Sequence, residues 1–212
     1  MSFANFTTRF KDWLYSSTSD DLEAQTAFIS TMAEARLNRD LRHREMQTEA
    51  DLTFTPPAHA QLPADYLEAE TVLYGESATN TTTRHRFVTV EQWEDYQSLN
   101  SGGCYFTIYG SEIRLHPTPT VVSTGTQFVR LRYFQKVPVF STTDASWVYD
   151  RYPDLYLYAC LAEGADYLRD IEQLPAYEAK YQKFLSDVMK DDQRQRYSGS
   201  RLVMRNPRDR IR

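Results

Sequence analysis

The sequence holds only two cysteines, Cys104 and Cys160, in 212 residues. One falls in a strand-like run and the other in a helix-like run. Neither belongs to a CxxC pair or a Cys/His cluster, so no zinc-ligand spacing exists. Usage this sparse fits a reducing compartment better than a disulfide framework. Long apolar runs are also missing. No stretch reaches the ~18 residues that a membrane-spanning helix needs, and no membrane partner is expected. The first 13 residues, MSFANFTTRFKDW, have no basic start followed by an apolar block, so they do not read as a secretory signal.

Catalytic patterns are absent in the same way. The four histidines, His43, His59, His85 and His116, form no HxH or HExxH spacing. His43 follows a helical run among arginines and reads as solvated. There is no GxSxG for a nucleophile elbow. Gly102-Gly103 leads into a strand, so it lacks the helix N-terminus that holds phosphate. The acid pairs Asp20-Asp21 and Asp191-Asp192 fall at expected helix ends, where they serve helix dipoles and solubility. The expectation is a protein that is not an enzyme, with no catalytic residues, no metal and no cofactor.

Apolar residues make up 41% of the chain, enough for a real core. Aromatics reach 14%, with 15 Tyr and 11 Phe. Such a surplus fits large protein–protein contacts, and it fits equally well the rim of a small core. Net charge is −5 but unevenly spread. Residues 193–212 hold seven arginines and one acid, or +6, against 17 bases and 28 acids, or −11, in the first 192. An acidic body with a basic tail is the sharpest compositional feature.

Periodicity predicts the elements. Phe3, Phe6, Phe10, Trp13 and Leu14 fall near helical spacing. Ser16 to Ser19 break that run. Leu22, Ile29, Met32, Ala33 and Leu37 mark the apolar face of a second helix, ending near Arg42. Strands are expected over 46–54, 66–74 and 128–137, with a short helix over 90–96. The run 80–83, Asn-Thr-Thr-Thr, reads as a polar loop. Residues 104–116 read as a hairpin turning at Gly110-Ser111. Along 128–134, Val129, Leu131 and Tyr133 alternate with Arg130 and Arg132, which suggests one packed face. Pro153 suits a first helical turn. Leu157, Leu161, Gly164 and Leu168 then predict a seam. A last helix from Pro175 carries Tyr177, Tyr181, Phe184, Leu185 and Val188 on one face.

The expected fold is α+β. N- and C-terminal helices form a discontinuous bundle (1–45 and 147–192). An antiparallel β-rich segment (46–146) is inserted between them, and a basic arm follows (193–212). Three readings of that arm are open. It binds nucleic acid through its arginines, it docks on a protein surface and orders there, or it is an inert terminus. Leu202, Val203, Met204 and Ile211 between the arginines favour docking, since pure phosphate binding has no use for them.

Several runs then carry a resemblance. They are FISTMAEARLNRDLRHRE (28–45) followed by MQTEAD, LPADYLEAETVLYG (62–75), YGSEIRLHPTP (109–119), PDLYLYACLAEGADYLRD (153–170) and YEAKYQKFL (177–185). Their order resembles the head-to-tail adaptor, or connector, proteins of short-tailed phages. The resemblance implies a virion protein at the head–tail junction, assembled in the host cytoplasm. It implies a ring of twelve copies below the portal, receiving tail or nozzle proteins and surrounding the path of double-stranded DNA. It also implies that the C-terminal segment reaches the portal. The candidate portal-binding residues are Arg194, Arg196, Tyr197, Arg201, Leu202, Val203, Met204, Arg205, Arg208, Arg210, Ile211 and Arg212. The alternatives are a head-completion protein of a long-tailed phage and a nucleic-acid-binding module using the Arg-rich tail.

Overall fold

The computed structural model describes residues 3–14, 20–52, 59–77, 80–98, 103–117, 128–141 and 146–197. In chain order the elements are α1 (Phe3–Trp13), α2 (Asp20–Asp40), a 3₁₀ turn (Arg44–Met46), β1 (Gln47–Leu52), β2 (His59–Gln61), β3 (Tyr66–Ser77), β4 (Asn80–Phe87), α3 (Val90–Ser98), β5 (Tyr105–Tyr109), β6 (Glu112–His116), β7 (Phe128–Gln135), α4 (Trp147–Arg151), α5 (Pro153–Leu168) and α6 (Leu174–Tyr197). The fold is α+β. The chain divides into two compact units, one of residues 1–41 with 139–212 and one of residues 42–138.

In the helical unit, α5 is the centre and packs against α1, α2, α4 and α6. Pro153 opens it, where a missing N–H costs nothing. Leu155, Tyr156, Tyr158, Ala159, Cys160, Leu161, Ala162, Gly164 and Ala165 are all buried. A helix covered on several sides has no single apolar stripe. The expected seam therefore holds at Leu161 and Gly164, while Leu157 is half-buried and Leu168 is exposed. Gly164 lets α1 come close: a Cβ there would lie 2.8 Å from Phe10 Cζ and 2.9 Å from Leu14 Cδ1. Phe6, Phe140, Tyr149 and Tyr156 cluster, with Phe140 and Tyr149 stacked at 4.6 Å and the other ring pairs edge to face at 5.4–5.8 Å. That geometry suits the aromatic quadrupole.

Helix α2 departs from its expected pattern. Ile29, Ala33 and Leu37 are buried as expected, but so are the polar Thr26, Ser30 and Glu34. Met32, expected on the core face, points outward with Phe28. The Ser30 hydroxyl donates to the Thr26 carbonyl at 2.6 Å, which satisfies it inside the helix.

The other unit is a sheet of seven described strands in the order β1-β7-β3-β4-β5-β6-β2. Val72, Phe106, Ile113, Leu115, Val129, Leu131 and Tyr133 form its core. On β7 the predicted alternation holds, with Val129, Leu131 and Tyr133 buried and Arg132 exposed. Gly110 turns the β5–β6 hairpin at φ 62°, where a side chain would be strained. Two expectations are corrected. The sheet is mixed, because β4 and β5 pair in parallel while the other pairs are antiparallel. A parallel pair needs a crossover, and the segment carrying α3 supplies it. The predicted loop at 80–83 is the start of β4. Its β-branched threonines suit a pleated strand despite their polarity.

Candidate functional site

The basic segment leaves the fold at the end of α6, so the site begins with what holds that end. Tyr177, Tyr181, Leu185 and Val188 are buried along one face and Phe184 is half-buried, as the helical spacing predicts. The helix continues past the last of these to Tyr197. Polar staples carry it there. The Asp192 carboxylate, buried at 4% exposure, accepts from Arg196 Nε at 2.7 Å. The Asp191 carboxylate accepts from the Tyr152 hydroxyl at 3.2 Å and from the Gln195 amide. The Gln195 carbonyl in turn accepts from Arg151 at 3.1 Å. The last turn of α6 is thereby tied to the α4–α5 junction. Burial pushes the Tyr152 phenol upward, which keeps it a donor.

The acid pair 191–192 was expected at a helix end as solvated charge. It lies inside α6 and anchors the helix, because partners four residues on (Gln195, Arg196) and at Tyr152 face it. Of the candidate residues, Arg194 and Arg196 stand in the last turn of α6, where cations complement the helix dipole. Tyr197 is the last helical residue. Arg201, Leu202, Val203, Met204, Arg205, Arg208, Arg210, Ile211 and Arg212 lie outside the described residues.

Two polar clusters were not visible in the sequence. Arg36 on α2 meets Glu178 on α6 and Glu163 on α5, and stacks 4.1 Å from the Tyr181 ring centre. Glu34 is buried, accepting from the Phe140 N–H at 2.7 Å and the Tyr156 hydroxyl at 2.9 Å. Burial raises its pKa above the ordinary carboxylate value, partly offset by those two hydrogen bonds. Both clusters tie elements distant in sequence, so local periodicity carries no sign of them.

Two of the histidines, His43 and His85, are buried. His43 is fully buried and not solvated as expected; its Nδ1 accepts from the Glu45 N–H at 3.1 Å and caps the 3₁₀ turn. His85 is buried edge-on to Tyr74, and burial lowers its pKa, which favours neutral imidazole. Cys104 and Cys160 are free thiols, and burial pushes the Cys160 thiol well up, away from the reactive thiolate. On the sheet, a cavity of about 310 Å³ is lined by Gln47, Thr48, Glu49, Glu70 and Arg132. Its Arg132 is already paired with Glu49. Among the described residues no group of three or more His, Cys, Asp or Glu is placed to hold a metal ion. No described helix is long and apolar enough to cross a membrane.

The SU10 adaptor protein family model matches residues 1–205, and the chain belongs to that family. A comparison with curated proteins gives no match. The family is one of structural phage adaptors, so the chain is a virion component that assembles with other virion proteins.

Proposed function

We propose that the chain is the head-to-tail adaptor of a short-tailed phage, forming a ring of twelve copies on the portal. Residues 193–212 bind the portal, the ring extends the DNA channel, and its far side receives tail or nozzle proteins. The observation that carries this reading is the family match over residues 1–205. The anchored end of α6 supports it, because a fixed helix terminus gives the following basic segment a defined point of departure. Fixing backbone costs about 1–2 kcal/mol per residue. An arm of this length therefore needs wide contact, which Leu202, Val203, Met204 and Ile211 supply beside the arginines.

The acidic body suits a DNA channel. A negative wall repels phosphate and lets a duplex slide past it. The arms, at +6 each, meet acidic portal surface instead.

Removing residues 198–212 tests the arm, since the cut leaves α6 whole. The truncated chain is expected to fold and to stay in the supernatant when portal rings are pelleted, while the full chain pellets with them. Stable attachment of the truncated chain would refute the arm. Tight, salt-sensitive binding of duplex DNA by the full chain, with no portal attachment, would favour the nucleic-acid reading.

A further inference from the structure

We propose that neighbouring copies in the ring meet through two unlike patches of the helical unit. One is the outward face of α2, carrying Phe28, Met32 and Ala35. The other is the turn between α5 and α6 on the next copy, carrying Tyr167, Leu168 and Ile171. The contact rests on the ring reading above, and its test separates the two.

The first observation is a second, outward apolar face on α2, opposite the core face of Ile29, Ala33 and Leu37. The helix buries Thr26, Ser30 and Glu34, yet leaves Phe28 59% and Met32 45% exposed. Phe28, Met32 and Ala35 follow one another at spacings of four and three, so they share one face. Ala35 is exposed as well. A helix that buries Ile29, Ala33 and Leu37 on one side and still carries Phe28 and Met32 on the other is patterned for a second partner on that outer face.

The second observation is how rigidly the α5–α6 turn is held. Arg169 sits at φ 57°, ψ 34°, a left-handed conformation that side chains other than glycine rarely adopt. The Asp170 N–H closes on the Ala165 carbonyl at 2.9 Å, a C-terminal motif that fixes the chain leaving α5. The Asp170 carboxylate then accepts from the Gln173 N–H at 3.2 Å, which closes the turn that leads into α6. Between these two locks Ile171 is 80% exposed, with Tyr167 at 48% and Leu168 at 39% beside it. A branched apolar side chain held at the tip of a fixed turn is a preorganised knob.

The occupant follows from the pairing of the patches. A closed ring needs two different, complementary faces on every subunit. Here a helix face and a helix-hairpin tip, both apolar, belong to one compact unit. Their charges also match. Exposed Arg39 continues the α2 stripe by one turn, while exposed Asp166 and Glu172 flank the tip. Seating Ile171 against Phe28 and Met32 brings a cation to face carboxylates at the rim. The surfaces thus complement a second copy of this chain.

Cysteine pairing tests the contact on the full chain in a Cys104→Ser background, with buried Cys160 left in place. A Phe28→Cys chain and an Ile171→Cys chain are treated with a short bismaleimide, separately and mixed. The expected result is covalent dimers only in the mixture, and a ladder of oligomers from the chain carrying both changes. Both side chains are exposed, so thermal unfolding should match the parent and certify the fold. Dimers from either single variant alone would overturn the contact in favour of a two-fold one. If sedimentation velocity shows rings but no ladder forms, this contact is wrong and the ring stands. Absence of both rings and ladder, with and without portal present, removes the ring reading and the contact together.

Discussion

Arg36 and Glu178 form a two-pronged ion pair between α2 and α6. The guanidinium nitrogens stand 2.7 and 2.5 Å from the two carboxylate oxygens. Glu163 approaches at 3.4 Å and Asp40 at 3.9 Å. Tyr181 lies under the guanidinium and donates its hydroxyl to Asp40 at 2.8 Å. One arginine thus joins three helices whose sequence positions span more than 140 residues.

Replacing Arg36 by Met leaves three carboxylates facing one another. The Arg36 side chain is 14% exposed and Glu178 38%, so solvent screens part of the loss. The expected cost is about 1–3 kcal/mol, between an exposed pair and a buried one. Arg36→Lys keeps the charge but loses the fork, and should fall between wild type and Arg36→Met. Urea unfolding measures all three.

Glu34 makes stability depend on pH in an unusual direction for an acid. Its folded pKa is raised above the ordinary 4.5. The folded state therefore holds the proton more tightly than the unfolded one. The resulting stabilisation is complete below pH 4.5 and is lost as pH rises through the folded pKa. Glu34→Gln removes this titration while its carbonyl still accepts from Phe140 and Tyr156. The wild-type-minus-variant difference in unfolding free energy should decline from acid toward neutral pH. Glu34→Ala loses both hydrogen bonds and should cost about 2–4 kcal/mol. Urea melts over a pH series read both effects.

Gly164 marks the close approach of α1 to α5. An alanine Cβ would press on the Phe10 ring and the Leu14 methyl at under 3.0 Å. Leu14 can turn aside, while Phe10 is fully buried and cannot. Crowding of this kind costs about 1–3 kcal/mol, set against a helix-propensity gain of about 1 kcal/mol over glycine. Gly164→Ala should be mildly destabilising and Gly164→Val clearly worse. Melting temperatures order them, at roughly 2–4 °C per kcal/mol for a chain of this size.

Asp191 and Asp192 hold the last turn of α6 where the basic segment departs. Asp191→Ala with Asp192→Ala should fray that turn, lowering amide-exchange protection over residues 193–197 more than over 177–188. The global loss should be about 1–2 kcal/mol, because the staples sit at a helix end. Uniform loss along α6 would instead show that the pair supports the whole helix.

How far the sequence could be read depended on how many sides each element buries. Helix α6 has one packed face, and Tyr177, Tyr181, Leu185 and Val188 stand out at helical spacing. Strand β7 has the same clarity in its period of two. Helix α5 is covered nearly all round, so the expected stripe named only part of its core. Helix α2 misled at Met32, because the partner of its buried Glu34 is a backbone N–H 106 residues away. The start of β4 was hidden by its polar threonines, and the parallel β4–β5 pair by its dependence on a crossover. At the candidate site, the charge run from Arg194 onward was plain. Its anchor was not, since Tyr152 and Asp191 meet only through the fold.

The central claim is attachment to the portal through the basic segment. The direct measurement is cryo-electron microscopy of purified portal rings mixed with the full chain. The account predicts a second ring stacked on the portal, with density for residues 198–212 running from the end of α6 along the portal surface. Intact portal rings and intact protein that remain separate would contradict it.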